Sequence, residues 1–152
     1  MTWGGIELTS GAKPTKEYPF HLAFYKANSQ INAIVHTHSH YATAYSCLNH
    51  PKNTLSNVIK PITPYLVIKL DHVILLPYHK PGSTEIANDL FSCGSNHKAF
   101  LLANHGMVVG GKNAIDALNN AQELEESCHL FFTTKNTDLR YLTEEEIFEL
   151  RK

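Results

Sequence analysis

Three histidines stand at every second position in the segment INAIVHTHSHY, at 36, 38 and 40, directly after an apolar run. Because side chains alternate along a strand with a period of two, His36 and His38 project from the same face while Thr37 points away. Two imidazoles at this spacing can chelate one metal ion. Zinc sites use at least three protein ligands, however, so this pair alone predicts only part of a site.

Two further residues could complete such a site. His105 is the natural third ligand, because it follows the apolar run FLLA and precedes a glycine that lets the backbone turn closely. Glu17, at the start of a predicted helix, is a candidate fourth ligand or proton carrier. Each residue also has a structural explanation: His36 as a core histidine, His105 as a turn residue, and Glu17 as an anion favoured by the helix dipole. From the residues alone, both interpretations stay open.

The composition indicates one ordinary globular domain over residues 1–152, with residues 1–14 as a loose lead-in. A net charge of -1 predicts no affinity for nucleic acid or an anionic membrane, and no apolar run approaches bilayer-spanning length. Cys47, Cys93 and Cys128 cannot all pair, which favours free thiols in a reducing cytoplasm. We expect Cys47 and Cys128 to be small core residues.

Strands and helices alternate along the chain, which predicts an α/β fold with one core. Thr15 is predicted to cap a first helix with Phe20, Ala23 and Phe24 on its apolar face. Other predicted helices span about 41–48, Ser83–Cys93 and 113–132, and a last one starts at a Thr143–Glu146 capping box. The predicted strands are Ala33–His36, Leu66–Ile68, Val73–Leu76, Ala99–Ala103 and Met107–Val109, with a long loop over 49–64. The stripe predicted to be buried on the long helix is Ile115, Leu118, Ala121, Leu124, Cys128 and Phe131.

Several separated motifs together resemble the class II aldolase/adducin family. KPTKEYPFHLAFYKANSQINAIVHTHSHYATAYSCL resembles its segment with a Glu after KPS/T and then HxH, and LLANHGMVVGGKNAIDALNNAQELEESCHLFF resembles its NHG motif and following helix. The resemblance runs from about residue 11 to residue 150. It implies a three-layer α/β/α domain with a central, mostly antiparallel sheet. It also implies that His36, His38 and His105 bind zinc or another divalent ion, and that Glu17 is the catalytic acid/base.

Within that family, PTKE and ITPYLVIKLDHVILLPYHKPGS resemble the 3-oxo-tetronate 4-phosphate decarboxylases. Those enzymes convert a phosphorylated four-carbon 3-oxo acid to dihydroxyacetone phosphate and carbon dioxide through a metal-stabilised enediolate. The resemblance places Thr15 and Lys16 beside the phosphate or carboxylate of the substrate. It matches Tyr65 to a tyrosine that comes from a neighbouring subunit, and it implies a homotetramer.

Other functions are compatible with the same motifs. An L-fuculose-phosphate-type aldolase would use the same metal site on a ketose phosphate, and an epimerase or dehydratase is a more distant alternative. Relatives carry several dozen residues before the segment that corresponds to residue 11, so the resemblance implies that the N-terminal part of the domain is missing. A metal-binding but inactive truncated member is therefore another alternative. Adducin-like interaction modules have lost the metal ligands, which this chain retains.

Overall fold

A computed structural model describes residues 13–50 and 57–152. The predicted lead-in at residues 1–14 lies almost wholly outside these ranges, as does part of the predicted loop at 49–64. Within the described ranges, strands and helices alternate as the sequence predicts. No helix in these ranges is both long enough and apolar enough to cross a membrane.

The strands of the described residues form one mixed sheet. They are β1 (Ala33–Thr37), β2 (Val73–Leu76), β3 (Ala99–Leu102) and β4 (Gly106–Gly111). Their order across the sheet is β1-β4-β3-β2. β4 pairs antiparallel with both β1 and β3, and only β2 and β3 are parallel. The prediction of a mostly antiparallel sheet is confirmed.

Helices cover both faces of this sheet. They are α1 (Tyr18–Ala27), α2 (His40–Ser46), α3 (Pro64–Leu70), α4 (Thr84–Cys93), α5 (Ala114–Thr134) and α6 (Glu144–Leu150). α1 and α4 bury their apolar residues in one core cluster, and α2, α3 and α5 bury theirs in the other. Neighbouring strand residues enter opposite clusters, as Ile74 and Leu75 do, because side chains alternate across a sheet. The result is the predicted α/β/α arrangement.

The first helix begins later than predicted. Its N-cap position is Glu17, whereas Thr15 lies two residues earlier and accepts a hydrogen bond on Oγ1 from the Glu17 N–H at 3.3 Å. Thr15 therefore closes a short turn before the helix instead of capping it. Phe20 and Phe24 are buried as predicted, and Ala23 is half-buried.

The prediction of a strand at Leu66–Ile68 is wrong, because these residues lie inside α3. Pro64 occupies the first turn of this helix, a position that proline favours, and Leu66 and Leu70 enter the core one turn apart. The apolar run is too short for its periodicity to distinguish a helix from a strand. The contacts that α3 makes with α5 and α6 decide in favour of the helix.

The buried face of α5 is rotated from the predicted stripe. Ile115 and Leu118 are 72 % and 51 % exposed, whereas Ala117 is fully buried. The cause is close backbone packing, since a Cβ on Gly111 would lie 2.3 Å from the Ala117 nitrogen. Only a small side chain fits between α5 and β4 at this distance. The rest of the stripe is buried or partly buried as predicted: Ala121, Leu124, Cys128 and Phe131.

The cysteines divide between surface and core. All three are free, Cys128 is buried and Cys93 is intermediate. Cys47 is exposed just after α2, so its prediction as a core residue is wrong. Other predictions are confirmed, among them the capping box that Thr143 and Glu146 form at the start of α6.

The turn between β3 and β4 depends on one residue with a positive φ and on one glycine that has no room for a side chain. Asn104 has a φ of 56°, so the left-handed residue of the turn is Asn104 and not the glycine that follows His105. Gly106 serves a different purpose: a Cβ there would lie 2.5 Å from the Thr37 carbonyl oxygen and 3.0 Å from the His38 ring. The missing side chain allows the end of β1 to lie directly against the start of β4.

We expect Gly106→Ala to lower the free energy of unfolding by about 1–3 kcal/mol, because the added methyl group forces β1 away from β4. Urea denaturation followed by circular dichroism measures this change. Asn104→Gly is the control in the same turn, since glycine adopts a positive φ without strain. Equal losses in the two variants would contradict the explanation from close packing.

Candidate metal centre

Four side chains from three separate segments meet at one end of the sheet. Glu17 directly precedes α1, His36 lies near the end of β1, His38 directly follows this strand, and His105 lies in the turn before β4. The antiparallel register brings the end of β1 beside the start of β4, and thus beside His105. One potential ligand atom from each of the four lies within 4.8 Å of the others. This spacing suits several ligands around one ion.

The three imidazoles form a compact triangle with the carboxylate against it. The ring centroids of His36 lie 5.1 Å from those of both His38 and His105, and the last two are 4.8 Å apart. The Glu17 carboxylate lies 3.3 Å from the Nε2 atoms of His36 and His105. The side chains of His36, His105 and Glu17 are 9 %, 7 % and 12 % exposed. His38 is exposed, so the cluster opens to solvent on that side.

The hydrogen bonding of His36 tests whether these residues fit a cation. Its Nδ1 lies 2.8 Å from the Met107 carbonyl oxygen, which can only accept, so Nδ1 carries the proton. In the neutral ring the Nε2 lone pair then faces the Glu17 carboxylate, and this buried nitrogen has no hydrogen-bond partner among residues 13–50 and 57–152. Two acceptors that face each other repel unless a cation or a proton lies between them. A backbone carbonyl that holds the second nitrogen is also typical of metal-binding histidines, so the residues fit a divalent ion.

His105 is suited to the neutral form that binds metal. Burial lowers its pKa below the ordinary value, and the neighbouring His36 lowers it further, while Glu17 opposes both effects. Its Nδ1 atom is buried and has no hydrogen-bond partner in the part of the chain that the structure describes. The environment therefore favours an unprotonated imidazole with an available lone pair.

Of the predicted substrate-binding residues, two lie next to the cluster and one lies on a different helix. Thr15 and Lys16 are exposed and immediately precede Glu17, and the Lys16 charge slightly lowers the pKa of His105. Tyr65 lies on α3, which packs against α5 and α6, and its side chain is 59 % exposed. Thr15 and Lys16 thus adjoin the cluster, whereas Tyr65 faces outward from the domain.

Sequence reasoning missed His21. It lies one turn after Glu17 on α1, stacks on Phe20 and approaches His36 with ring centroids 6.2 Å apart. Burial lowers its pKa, His36 adds to this, and Glu17 opposes it. The spacing of four residues from Glu17 on a predicted helix is the signal that could have identified it.

The fold and this cluster define a known class of protein. Residues 2–132 match the family described as the class II aldolase and adducin N-terminal domain, and the chain belongs to this family. It is 48 % identical to the 3-oxo-tetronate 4-phosphate decarboxylase of Haemophilus influenzae, over 94 % of this chain and 67 % of that protein. The Escherichia coli decarboxylase of the same name is 49 % identical, over 95 % of this chain and 68 % of that protein. The chain thus spans about two thirds of the length of these relatives.

Solved structures of related proteins share the fold of this chain. The crystal structure of YgbL from Escherichia coli matches with a TM-score of 0.92 and 47 % identity, over 96 % of this chain and 70 % of that one. An L-fuculose 1-phosphate aldolase matches with a TM-score of 0.86 and 27 % identity, over 99 % of this chain and 68 % of that one.

We expect His38→Ala to abolish retention of a divalent ion, because it removes one of three imidazoles. Elemental analysis after purification and dialysis measures the metal content per chain. His40→Ala is the matched control, since His40 is an exposed histidine two residues further along and is not part of the cluster. Retained metal in a His36→Ala/His38→Ala double variant would contradict the site.

Proposed function

We propose that this protein is a metal-dependent sugar-phosphate lyase that decarboxylates 3-oxo-tetronate 4-phosphate to dihydroxyacetone phosphate and carbon dioxide. The observation that carries the metal-dependent chemistry is the convergence of Glu17 with His36, His38 and His105 within 4.8 Å, and the choice of decarboxylation rests on the named relatives. Relatives near 48 % identity are named for this reaction, while relatives at 33 % to 35 % include those named for aldolase reactions. Decarboxylases and aldolases of this family are both carbon–carbon lyases.

His36, His38 and His105 would hold the divalent ion, which we propose is zinc, whose common ligands include imidazole nitrogens. When bound there, the ion supplies a Lewis acid that stabilises the electron pair left on a carbon beside a carbonyl group. The three imidazoles are neutral ligands, so they leave its charge undiminished. His36 is held for this role by its hydrogen bond to the Met107 carbonyl oxygen.

Glu17 is the proposed proton carrier. Its carboxylate lies 3.3 Å from the Nε2 atoms of His36 and His105, and its side chain is only 12 % exposed. Loss of carbon dioxide leaves a carbon that must be protonated, and a carboxyl group at this position can supply the proton. In an aldol cleavage the same group would first have to accept a hydroxyl proton.

The groups around the cluster are proposed to select the substrate. Lys16 carries a positive charge next to Glu17, and with the Thr15 hydroxyl it can bind the phosphate or the carboxylate of the sugar acid. Tyr65 faces outward on α3, which suits a tyrosine that reaches the site of a neighbouring subunit in a homotetramer. Three free cysteines support a cytoplasmic location.

An aldolase of the L-fuculose-phosphate type is the second candidate. The TM-score of 0.86 to an L-fuculose 1-phosphate aldolase favours it, although the identity is only 27 %. Turnover of L-fuculose 1-phosphate without turnover of 3-oxo-tetronate 4-phosphate would select the aldolase. Bound metal without turnover of either would select the inactive metal-binding member.

We expect Glu17→Gln to retain its metal, since the three imidazoles remain, and to lose turnover by about 100-fold or more because the amide carries no acidic proton. Release of dihydroxyacetone phosphate from 3-oxo-tetronate 4-phosphate measures turnover, and elemental analysis measures the metal. Glu145→Gln, on the exposed side of α6, is the control. Full activity in Glu17→Gln would refute the proton-carrier role and leave the metal site standing.

Co-expression tests whether Tyr65 acts across subunits. We expect Glu17→Gln and Tyr65→Phe to be inactive separately and partly active together, because mixed oligomers contain sites with both residues intact. Glu17→Gln co-expressed with His38→Ala is the control, since these two residues meet within one chain and mixing restores neither site. Equal activity in the two mixtures would contradict a contribution from the neighbouring subunit.

A further inference from the structure

Glu125 of α5 accepts three hydrogen bonds from the segment that follows the paired histidines. Its Oε2 accepts from the Ser39 hydroxyl at 2.6 Å and from the Ala42 N–H at 2.8 Å. Its Oε1 accepts from the Tyr41 N–H at 2.8 Å. These partners lie 83 to 86 positions away in the chain. One carboxylate thus attaches a distant helix to the residues immediately after His38.

The two bonds from the Tyr41 and Ala42 N–H groups replace the missing local cap of α2. The first N–H groups of a helix have no partner within it, and a polar side chain at the N-cap position usually provides one. Ser39 occupies this position but makes no side-chain capping bond, and its hydroxyl donates to Glu125 instead. The carboxylate that caps α2 therefore comes from another element, and it fixes where α2 begins.

The other end of α2 contacts the second ligand segment. The Ser46 carbonyl oxygen, in the last turn of α2, accepts a hydrogen bond from the Asn104 N–H at 3.1 Å. Asn104 immediately precedes His105. α2 therefore touches both segments that carry histidines of the cluster, one at each end, and Glu125 holds the end next to His38.

We infer that Glu125 is a positioning residue for the metal centre: by capping α2 it fixes the backbone of His36 and His38 relative to His105. The inference rests on the proposed metal site. Glu125 is not itself among the side chains that converge within 4.8 Å, so it acts through Ser39 and the start of α2. Sequence alone gave no indication of this role, because the residue is one of several glutamates in QELEESC.

Glu125→Gln is the test, since the amide keeps the size of the side chain but presents a donor where one oxygen accepted. At least one of the backbone N–H groups of α2 then faces another donor. Thr143→Ala is the matched control, because it removes the cap of α6, whose closest packing is with α3. Ser39→Ala removes one of the three bonds, so we expect it to lower the affinity for Zn²⁺ less than Glu125→Gln does.

Two measurements separate positioning from general stability. Competition with a chelator gives the affinity for Zn²⁺, which we expect Glu125→Gln to lower roughly 10-fold to 100-fold and Thr143→Ala to leave unchanged. The visible absorption of the Co²⁺-loaded protein reports ligand geometry, and we expect it to change only in the Ser39 and Glu125 variants. A change in affinity or spectrum confined to these variants supports the inference.

The results that would contradict the positioning role differ from those that would contradict the metal site itself. If the wild-type chain binds Zn²⁺ and Co²⁺, and Glu125→Gln matches Thr143→Ala in affinity and spectrum, the positioning role is overturned while the metal site stands. If the wild-type chain binds neither ion, the proposed metal site fails, and the role inferred for Glu125 fails with it.

Discussion

The antiparallel pairing of β1 with β4 is the constraint on which the candidate site depends. The register places Thr37 opposite Met107, so the residues at the end of β1 lie beside the turn that carries His105. Gly106 allows this approach because it has no side chain to meet the Thr37 carbonyl oxygen. The same pairing positions the Met107 carbonyl to accept the Nδ1 proton of His36. Strand register thus sets both the location of the imidazoles and the orientation of one of them.

The side chains of the cluster turn atoms with lone pairs toward one another, an arrangement that is stable only around a positive charge. In the neutral ring, His36 turns a buried lone pair toward the carboxylate of Glu17, and no described residue forms a hydrogen bond with the buried Nδ1 of His105. Unsatisfied polar atoms of this kind cost free energy in a folded protein. Functional sites are the places where such costs are accepted. A divalent ion bound between His36 and Glu17 would offset the cost of their facing lone pairs.

One centre of this kind can serve more than one reaction. Decarboxylation of a 3-oxo acid and retro-aldol cleavage of a ketose phosphate both leave an electron pair on a carbon beside a carbonyl group. The family contains relatives named for each reaction, and their similarity to this chain extends over most of its length. The three imidazoles do not distinguish these reactions. In the proposed function, discrimination between them is assigned to side chains next to the imidazoles, such as Thr15 and Lys16.

The sequence by itself determined which side chains form the candidate site and most of the framework. The spacing of His36 and His38, the apolar runs around His105, and the capping box at Thr143 rest on local patterns that need no distant contact. Tertiary structure decided what depends on distant contacts. Leu66–Ile68 became helical through packing on α5, and Ala117 replaced Leu118 at the β4 contact because the two backbones approach closely. The contact of Glu125 with α2 could not be predicted from the sequence, because hydrogen bonds between residues more than 80 positions apart leave no periodic pattern in it.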